Sequence, residues 1–299
     1  MKTCAFLSMD HMGDYYVYDD LLIAPMAEQG WQVETLSWRQ NDVDWGRFDA
    51  VILRSCWDYQ QYPDEFLGVL AQISQRTLLF NDLGIVRWNI SKEYLKDLSA
   101  EGVPVVPTLW QQEFNAEQVA NAFASFDCEE LIIKPVVSAS AGHTYRLSAS
   151  DYQQKLSELK AVFSGRKHML QPFIDNVLEE GEFSLFYFDN RFSHAIRKVP
   201  KPGDFRVQEE HGGQLFLVQP DPELLVLAEK SLKAIPGKTL YARLDFIRYQ
   251  QSYRVMELEL IEPSLYFNMD RDSPKRFVQA LIKKLAPQAD AGAPELLCR

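Results

Sequence analysis

Cysteine is scarce in this 299-residue chain. Cys4, Cys56, Cys128 and Cys298 form no C-x-x-C pair and have no histidine cluster beside them. That pattern argues against a zinc-ligand set and a disulfide framework, and it fits the reducing cytoplasm. Each thiol is expected to act as a small buried hydrophobe. No run of 18 apolar residues occurs, so no transmembrane helix is expected. The opening MKTCAFLSMDHMGDYY carries one lysine and then acids, unlike a secretory signal. Positive charge is also short: 31 Lys and Arg against 42 Asp and Glu give a net charge of −11. A nucleic-acid backbone is therefore not an expected partner, although local basic residues can still hold a small polyanion. Three motifs are missing as well. Without G-x-x-x-x-G-K-[ST] or G-x-G-x-x-G there is no Walker or Rossmann phosphate loop, and without G-x-S-x-G no hydrolase elbow.

What is present suffices for a large core: 46% hydrophobic and 24% charged residues, enough chain for two or three packed units. Strands are expected at residues 3–8, 31–37 and 50–54, with a helix over Tyr18–Gln29 ended by Gly30 and another over Asp64–Ile73 opened by Pro63. This β-α-β-β start reads as a parallel α/β sheet. Leu78–Asn81 gives a further strand, followed by Asp82 and Gly84 as turn residues. A second unit starts near Asn89, with Ser91 capping a helix over Lys92–Ala100. Strands follow at Pro107–Trp110, Glu130–Val137 and His168–Phe173, and helices at Ala116–Ser125 and Asp151–Phe163. The third unit opens with Glu182–Asp189 and Arg191–Lys198 around an Asp189-Asn190 turn. A Pro/Gly-rich loop (200–213), a helix at Pro222–Ala234, strands at Leu240–Arg248 and Tyr253–Ile261 and a helix at Pro274–Leu285 complete it. The tail to Arg299 is expected to be poorly ordered.

Lys134 lies in the apolar run LIIKPVV, where a lysine must either reach water or meet a negative charge. The loop after it, VVSASAGHT, favours the second. Small side chains at Ser138, Ala139, Ser140, Ala141 and Gly142 let backbone amides approach phosphates closely. A second signal is acidic. Asp245 sits in YARLDFIRY, and Glu257, Glu259 and Glu262 in MELELIEPS. Glu257 and Glu259 share one strand face, so two adjacent strands can offer hard oxygen ligands to Mg²⁺. A solvated acidic edge is the competing reading. The third signal is HAIRKVPKPGDFRVQEEHGGQ, a basic, glycine-containing loop with Arg197, Lys198, Lys201 and Arg206 in an acidic chain. The five histidines stand in no recognisable phosphotransfer setting, and His194 and His211 read as structural. Arg54-Ser55-Cys56-Trp57-Asp58-Tyr59 follows a strand directly, where ligands of open α/β sheets bind. Arg54 would pair with a carboxylate and Asp58 with an ammonium group, with Ser55, Asp10 and Asp14 nearby. The alternative is a capping and packing cluster around Trp57.

In chain order, these pieces resemble the ATP-grasp superfamily from about Asn89 to Phe267, in its glutathione-synthetase-like and RimK-like branch. RSCWDYQQYPDEF, KVPKPGDFRVQEEHGG and MELELIEPSLYF are similar to the family of the D-cycloserine cyclo-ligase. The resemblance implies an ATP-grasp fold of mixed α/β and α+β class. Residues 1–88 would form an N-terminal parallel α/β domain, with lobes at 89–174 and 175–299 clasping ATP. It implies phosphate contacts from Lys92 and Lys134, with Ser138, Ser140, Ala141 and Gly142 in the covering loop. The hinge Gln171-Pro172-Phe173-Ile174 would meet adenine and Glu182 the ribose hydroxyls. Lys198 and Arg206 would neutralise charge at the γ-phosphate and the developing oxyanion, and Asp245, Glu259 and Glu262 would hold Mg²⁺. The family's Glu-x-Asn ending is absent, which leaves Glu257 as an alternative ligand. The implied activity is ATP-dependent joining of a carboxylate to an amine through an acyl phosphate, on small amino-acid-like substrates, in linear or cyclising form. A homodimer is expected, and no membrane partner. The competing functional reading is a regulatory ATP-binding protein without turnover.

Overall fold

The computed structural model of the chain describes residues 1–286. The first strands, β1 (Lys2–Ser8), β2 (Trp31–Ser37), β3 (Ala50–Ser55) and β4 (Leu78–Phe80), form a parallel sheet in the order β2-β1-β3-β4. β3 is buried along its whole length because both faces of this sheet are covered. Helix α1 (Ile23–Glu28) lies on one face and α2 (Pro63–Ser74) on the other. The expected Tyr18–Gln29 helix is split here. A short 3-10 turn at Asp19–Leu22 precedes α1, which Gly30 ends at φ +77°.

Asp82 and Gly84 do not form a simple turn. Asp82 caps α3 (Leu83–Asn89), its Oδ1 accepting from Ile85 N at 3.0 Å. The helix expected from Lys92 begins later, as α4 (Tyr94–Ala100), and Ser91 Oγ accepts from Glu93 N at 3.4 Å. β5 (Leu109–Gln111), α5 (Ala116–Phe126), β6 (Glu130–Pro135), β7 (Tyr145–Ser148), α6 (Tyr152–Phe163) and β8 (His168–Pro172) build a second, antiparallel sheet in the order β5-β8-β6-β7. β7 and the one-turn helix α7 (Asn176–Glu179) were not expected.

The third sheet joins β9 (Glu182–Phe188), β10 (Arg191–Val199), β11 (Gln214–Val218), β12 (Tyr241–Tyr249) and β13 (Ser252–Glu259) in the order β11-β10-β9-β12-β13. The tight turn between β9 and β10 uses Asp189 and Asn190 at φ +48° and +59°, the left-handed pair a two-residue hairpin turn needs. β11, an edge strand, was absent from the expectations. Helices α4 and α8 (Pro222–Lys233) cover one face through Leu95, Leu98, Leu224 and Leu227 against Leu185, Leu244 and Val255. The other face divides in two. Phe186, Phe188 and Tyr241 pack against α9 (Ser273–Leu285), which also packs on the first sheet. One core therefore runs from Phe6 and Ile52 to Phe277, and the chain stretches before and after residue 88 share it. The remaining half of that face is polar and forms the floor described below. The expectation for the tail falls on residues 287–299, outside the described residues, as does Cys298; Cys4 and Cys56 are buried.

β13 is the other edge of the sheet, and its outward backbone groups need partners. The backbone of Pro104 and Val106 pairs with Val255, and side chains of the 81–94 stretch serve the C-terminal end and the adjoining start of β12. Asn81 Nδ2 donates to Leu260 O and Tyr241 O, and Asn81 Oδ1 accepts from Leu240 N. Asn89 bridges Leu258 O and Leu260 N, and the Tyr94 hydroxyl meets both backbone groups of Leu258. Asn81 is 1% exposed. Asn81→Ala is expected to lower stability by about 3 kcal/mol, because it orphans several buried groups at once. Urea unfolding measures this, and a loss below about 1 kcal/mol would show that water replaces the amide.

Candidate active site

A single cleft, with about 1660 Å³ of empty space including its open mouth, runs between the second and third sheets to the end of the first. Its floor is the polar half-face of the third sheet. Strand periodicity puts Glu182 and Ser184 of β9, Lys198 of β10, Arg243 and Asp245 of β12, and Glu257 and Glu259 of β13 on one side. Their neighbours Leu185, Leu244 and Leu258 point into the core on the other side. Register sets Asp245 opposite both Ser184 and Glu257, and Arg243 opposite Glu259.

The floor is a closed ion-pair network. Arg243 donates from Nε and Nη2 to Asp245 at 2.9 and 2.7 Å, and from Nη1 to Glu259 at 3.0 Å. Ser184 Oγ donates to Asp245 Oδ1 at 2.6 Å. Lys198 meets Asp245 at 3.3 Å and also pairs with Glu182. Buried charges persist only with such partners. Asp245 sits well below the usual carboxylate range: burial opposes this, but the adjacent Arg243 and Lys198 outweigh it. Glu182 and Glu259 go the other way. Burial pushes each up to about 7, against the pull of Lys198 on Glu182 and of Arg243 on Glu259. Burial and the nearby Glu259 push Glu262 well above its ordinary value.

The roof comes from the second sheet. Lys92 Nζ pairs with Glu257 at 2.7 Å and donates to Ser138 O at 2.8 Å, latching the small-residue loop to the floor. Lys134 is 9% exposed and has no carboxylate within salt-bridge distance among the described residues. Desolvation pulls its ammonium below the usual lysine range. The loop is strained: Ser140, Ala141 and His143 lie at φ +49°, +53° and +54°. At the far wall, Val106, Ile132, Phe173, Ile174, Ile247 and Met256 give an apolar pocket beside the hinge. The N–H of Phe173 is taken by Glu130 O, and Gln171 Nε2 donates to Thr108 Oγ1 at 2.9 Å.

Most of the expected residues meet in this cleft. Lys92, Lys134, Ser138, Ser140, Ala141, Gln171, Pro172, Phe173, Ile174, Glu182, Arg206, Asp245, Glu257, Glu259 and Glu262 all line it. Others do not. The Gly142 N–H turns inward to Ala139 O. Lys198 is covered within the floor, its side chain 1% exposed, so its charge acts through Glu182 and Asp245 and not from the surface of the cleft. The expected substrate pocket after β3 is a correction. Arg54 is 1% exposed, donates from Nε and Nη2 to Asp19 Oδ1, and lies among Tyr241, Phe267 and Phe277; burial in the domain core claims it. Asp58 accepts from Trp38 Nε1 at 2.7 Å, Ser55 is 2% exposed, and Asp10 and Asp14 are exposed and do not line the cleft. From that segment Trp57 and Tyr59 reach the cleft instead, and Trp57 Nε1 donates to Glu262 O at 2.8 Å.

Arg243, the centre of the network, was missed. Its signal was a second charge two residues before Asp245 in an apolar strand, hence on the same face. Arg206 is held as well as placed: Nε and Nη2 bind Asp204 at 3.0 and 2.8 Å, and its side chain stays 38% exposed. Among the described residues no group of three or more His, Cys, Asp or Glu side chains forms a ready metal site, and no helix is long and apolar enough to cross a membrane.

Comparison with known proteins agrees with this architecture. Residues 4–81 match the family model for the N-terminal domain of D-cycloserine synthetase DcsG. The cycloserine biosynthesis protein DcsG of Streptomyces lavendulae is 31% identical over 275 residues, covering 86% of this chain and 90% of that protein. The crystal structure of D-cycloserine synthetase DcsG superposes with a TM-score of 0.84 at 29% identity, over 95% of this chain and 99% of that one. D-alanine–D-alanine ligase from Bacillus anthracis, solved with ATP, shares the fold at a TM-score of 0.70 and 12% identity, over 95% and 97% of the two chains. A cleft between two antiparallel sheets, floored by acids and arginine and roofed by two lysines, thus accompanies clear sequence kinship: the chain belongs to the ATP-grasp ligases, in the family of the D-cycloserine synthetase DcsG.

Proposed function

We propose that the protein is an ATP-dependent carboxylate–amine ligase that converts an amino-acid-like carboxylate to an acyl phosphate and passes the acyl group to an amine, releasing ADP and phosphate. Residues 1–88, 89–174 and 175–299 would act as its three units. The observation that carries this reading is the convergence of Lys92, Lys134, Arg243, Asp245, Glu257 and Glu259, from different strands and loops, on one cleft. A carboxylate cannot expel oxide, whereas phosphate is a good leaving group. Gathering a triphosphate and a carboxylate needs dense positive charge in a site poor in water. Lys134, desolvated and without a carboxylate partner among the described residues, suits a phosphate. The apolar pocket by Pro172–Ile174 suits a purine, with Glu182 below it for the ribose.

The donor set fits Mg²⁺. Asp245 stands directly opposite Glu257, with Glu259 one pleat along; among the described residues these acids form no ready-made site, so phosphate oxygens would have to complete the shell. Register favours Glu257 and Glu259 as the companions of Asp245, and Glu262 lies past the strand end. When bound there, the ion would neutralise the phosphoryl oxygens. Lys92 would exchange Glu257 for phosphate, drawing the Ser138–Ala141 loop over the nucleotide and shielding the acyl phosphate from water. An amine on the same substrate molecule would give a ring, and a separate amine a linear amide. The likeness to D-cycloserine synthetase makes the cyclising route part of the proposal. The presence of the acid pair together with Arg206 supports turnover over mere nucleotide sensing.

Supplying hydroxylamine with ATP and Mg²⁺ across a panel of L- and D-amino acids tests this. An activated acyl group yields a hydroxamate, and the amino acid that gives it fastest names the carboxylate. No hydroxamate and no ADP release from any member would end the ligase reading.

A pH dependence follows from the floor. Glu182 and Glu259 titrate near 7, above their unfolded values. A raised carboxyl binds its proton more tightly in the folded state, so its stabilising effect is complete below the unfolded value. It is lost as pH climbs through the folded one. The nucleotide-free protein is therefore expected to melt at a lower temperature at pH 7.5 than at about pH 5.5. Over the same interval Mg·ADP should bind more tightly, releasing protons detectable by calorimetry in buffers of different ionisation heat. Pure proton-independence in both measurements would contradict the raised carboxyls.

A further inference from the structure

Tyr266 is one of the cleft residues that this mechanism leaves without a task. Its backbone sits at φ +45°, a conformation that bulky side chains rarely adopt. The neighbours enforce it. Leu265 and Phe267 are 1% and 2% exposed, both anchored in the core shared with α9, and the carbonyl of Leu265 is bonded to the His194 ring at 3.1 Å. Between two fixed points, the left-handed turn sets where the Tyr266 ring lies. The ring packs edge-on to Phe186, with 6.1 Å between centroids, and lies 5.7 Å from the guanidinium carbon of Arg243. The residue is 4% exposed and lines the cleft, yet its hydroxyl makes no hydrogen bond among the described residues. The hydroxyl is not among the buried, unsatisfied polar atoms of the described residues, so it is open to the cleft and free to meet a ligand there.

Four cations of this region are already held by partners. All three guanidinium nitrogens of Arg243 face Asp245 and Glu259. Lys198 is held by Glu182 and Asp245, Arg206 by Asp204, and Lys92 by Glu257 and Ser138 O. Burial pushes the phenol up to about 12, with Arg243 and Lys198 pulling it down and Glu209 and Glu259 pushing it up. At neutral pH it therefore remains a donor and is no base. Strained positions concentrate where a side chain must be held ready for a ligand.

We propose that Tyr266 is a catalytic residue: its hydroxyl donates a hydrogen bond to the substrate carboxylate beside Arg243, positioning that oxygen for phosphorylation and stabilising the negative charge that gathers there. The proton stays on the tyrosine and no covalent bond to it forms. This rests on the ligase reading above, with the ligand class a carboxylate in transit to an acyl phosphate.

Tyr266→Phe removes the oxygen and keeps the ring on Phe186. With the amino acid that gives hydroxamate fastest in the wild type, kcat/KM is expected to fall about 100-fold, the size seen when one preorganised donor is lost. The KM for ATP, the affinity for Mg·ADP and the melting temperature should match the wild type. A variant with undiminished kcat/KM overturns the assignment. So does a loss that tracks weaker Mg·ADP binding or a lower melting temperature, since the residue would then be structural. A wild type that forms no hydroxamate with any amino acid removes the ligase reading and this role together. That failure shows in the wild type, whereas failure of the assignment alone shows only in the variant.

Discussion

Asp245→Asn should reduce Mg-dependent ADP release by at least about a thousandfold, the largest effect expected anywhere in the chain. Both oxygens of Asp245 are committed, to Arg243, Ser184 and Lys198, and the residue stands opposite Glu257 across the strand pair. The amide keeps the shape but discards the charge that orders Arg243 and gives Mg²⁺ a hard ligand. Two buried cations then share fewer anions, so stability should fall too, by about 3 kcal/mol or more. Circular dichroism melts separate the two effects. A variant that is folded at the assay temperature and inactive supports the metal role. Turnover within tenfold of the wild type would mean that Asp245 serves only the ion-pair network. Glu262→Gln, past the strand end, should cost less than Glu257→Gln if register selects the ligands; the opposite order reverses that choice.

Arg206→Ala should give a different signature. Its side chain is the most exposed of the cleft's cations that are held in ion pairs, and its partner Asp204 is also satisfied by the backbone N–H groups of Phe205 and Arg206. Removing the guanidinium therefore leaves stability almost unchanged. Mg·ADP affinity should stay within about threefold, while kcat drops by a factor on the order of a hundred to a thousand, because only the transferring charge uses this arginine. Asp204 keeps Arg206 folded back on its own loop, so the arginine has to exchange that carboxylate for the ligand. Steady-state kinetics with ATP and the identified amino acid read the split directly. Undamaged kcat would return Arg206 to the class of ordinary loop cations.

How far these residues could be read beforehand depended on whether their environment is local. Period-two alternation in YARLDFIRY and MELELIEPS was enough to put Asp245, Glu257 and Glu259 on one face, since a strand admits no other arrangement. Lys134 and the Ser/Ala loop were legible for a similar reason: a lysine inside LIIKPVV needs an anion or an exit, and small residues mark close backbone approach. Arg54 and Asp58 misled because position after a strand does not say what packs above it. Asp19, distant in sequence, claims the guanidinium, and Trp38 takes the carboxylate. Asp82, Ser91 and β11 were misjudged at element ends, where a cap and a turn look alike and an edge strand has little hydrophobic signal.

Composition, patterning and motif order were thus sufficient for the class of fold and the sign of the charges around the cleft. These follow from interactions between residues close in the chain. Which acids pair with which bases came from elsewhere. The partnership of Arg243 with Asp245 and Glu259, the submersion of Lys198, the latch from Lys92 to Glu257 and the uncommitted hydroxyl of Tyr266 all arise when strands far apart in sequence are set in register and sealed by α4, α8 and α9. Burial then sets the energy of every charge, and burial belongs to the assembled molecule.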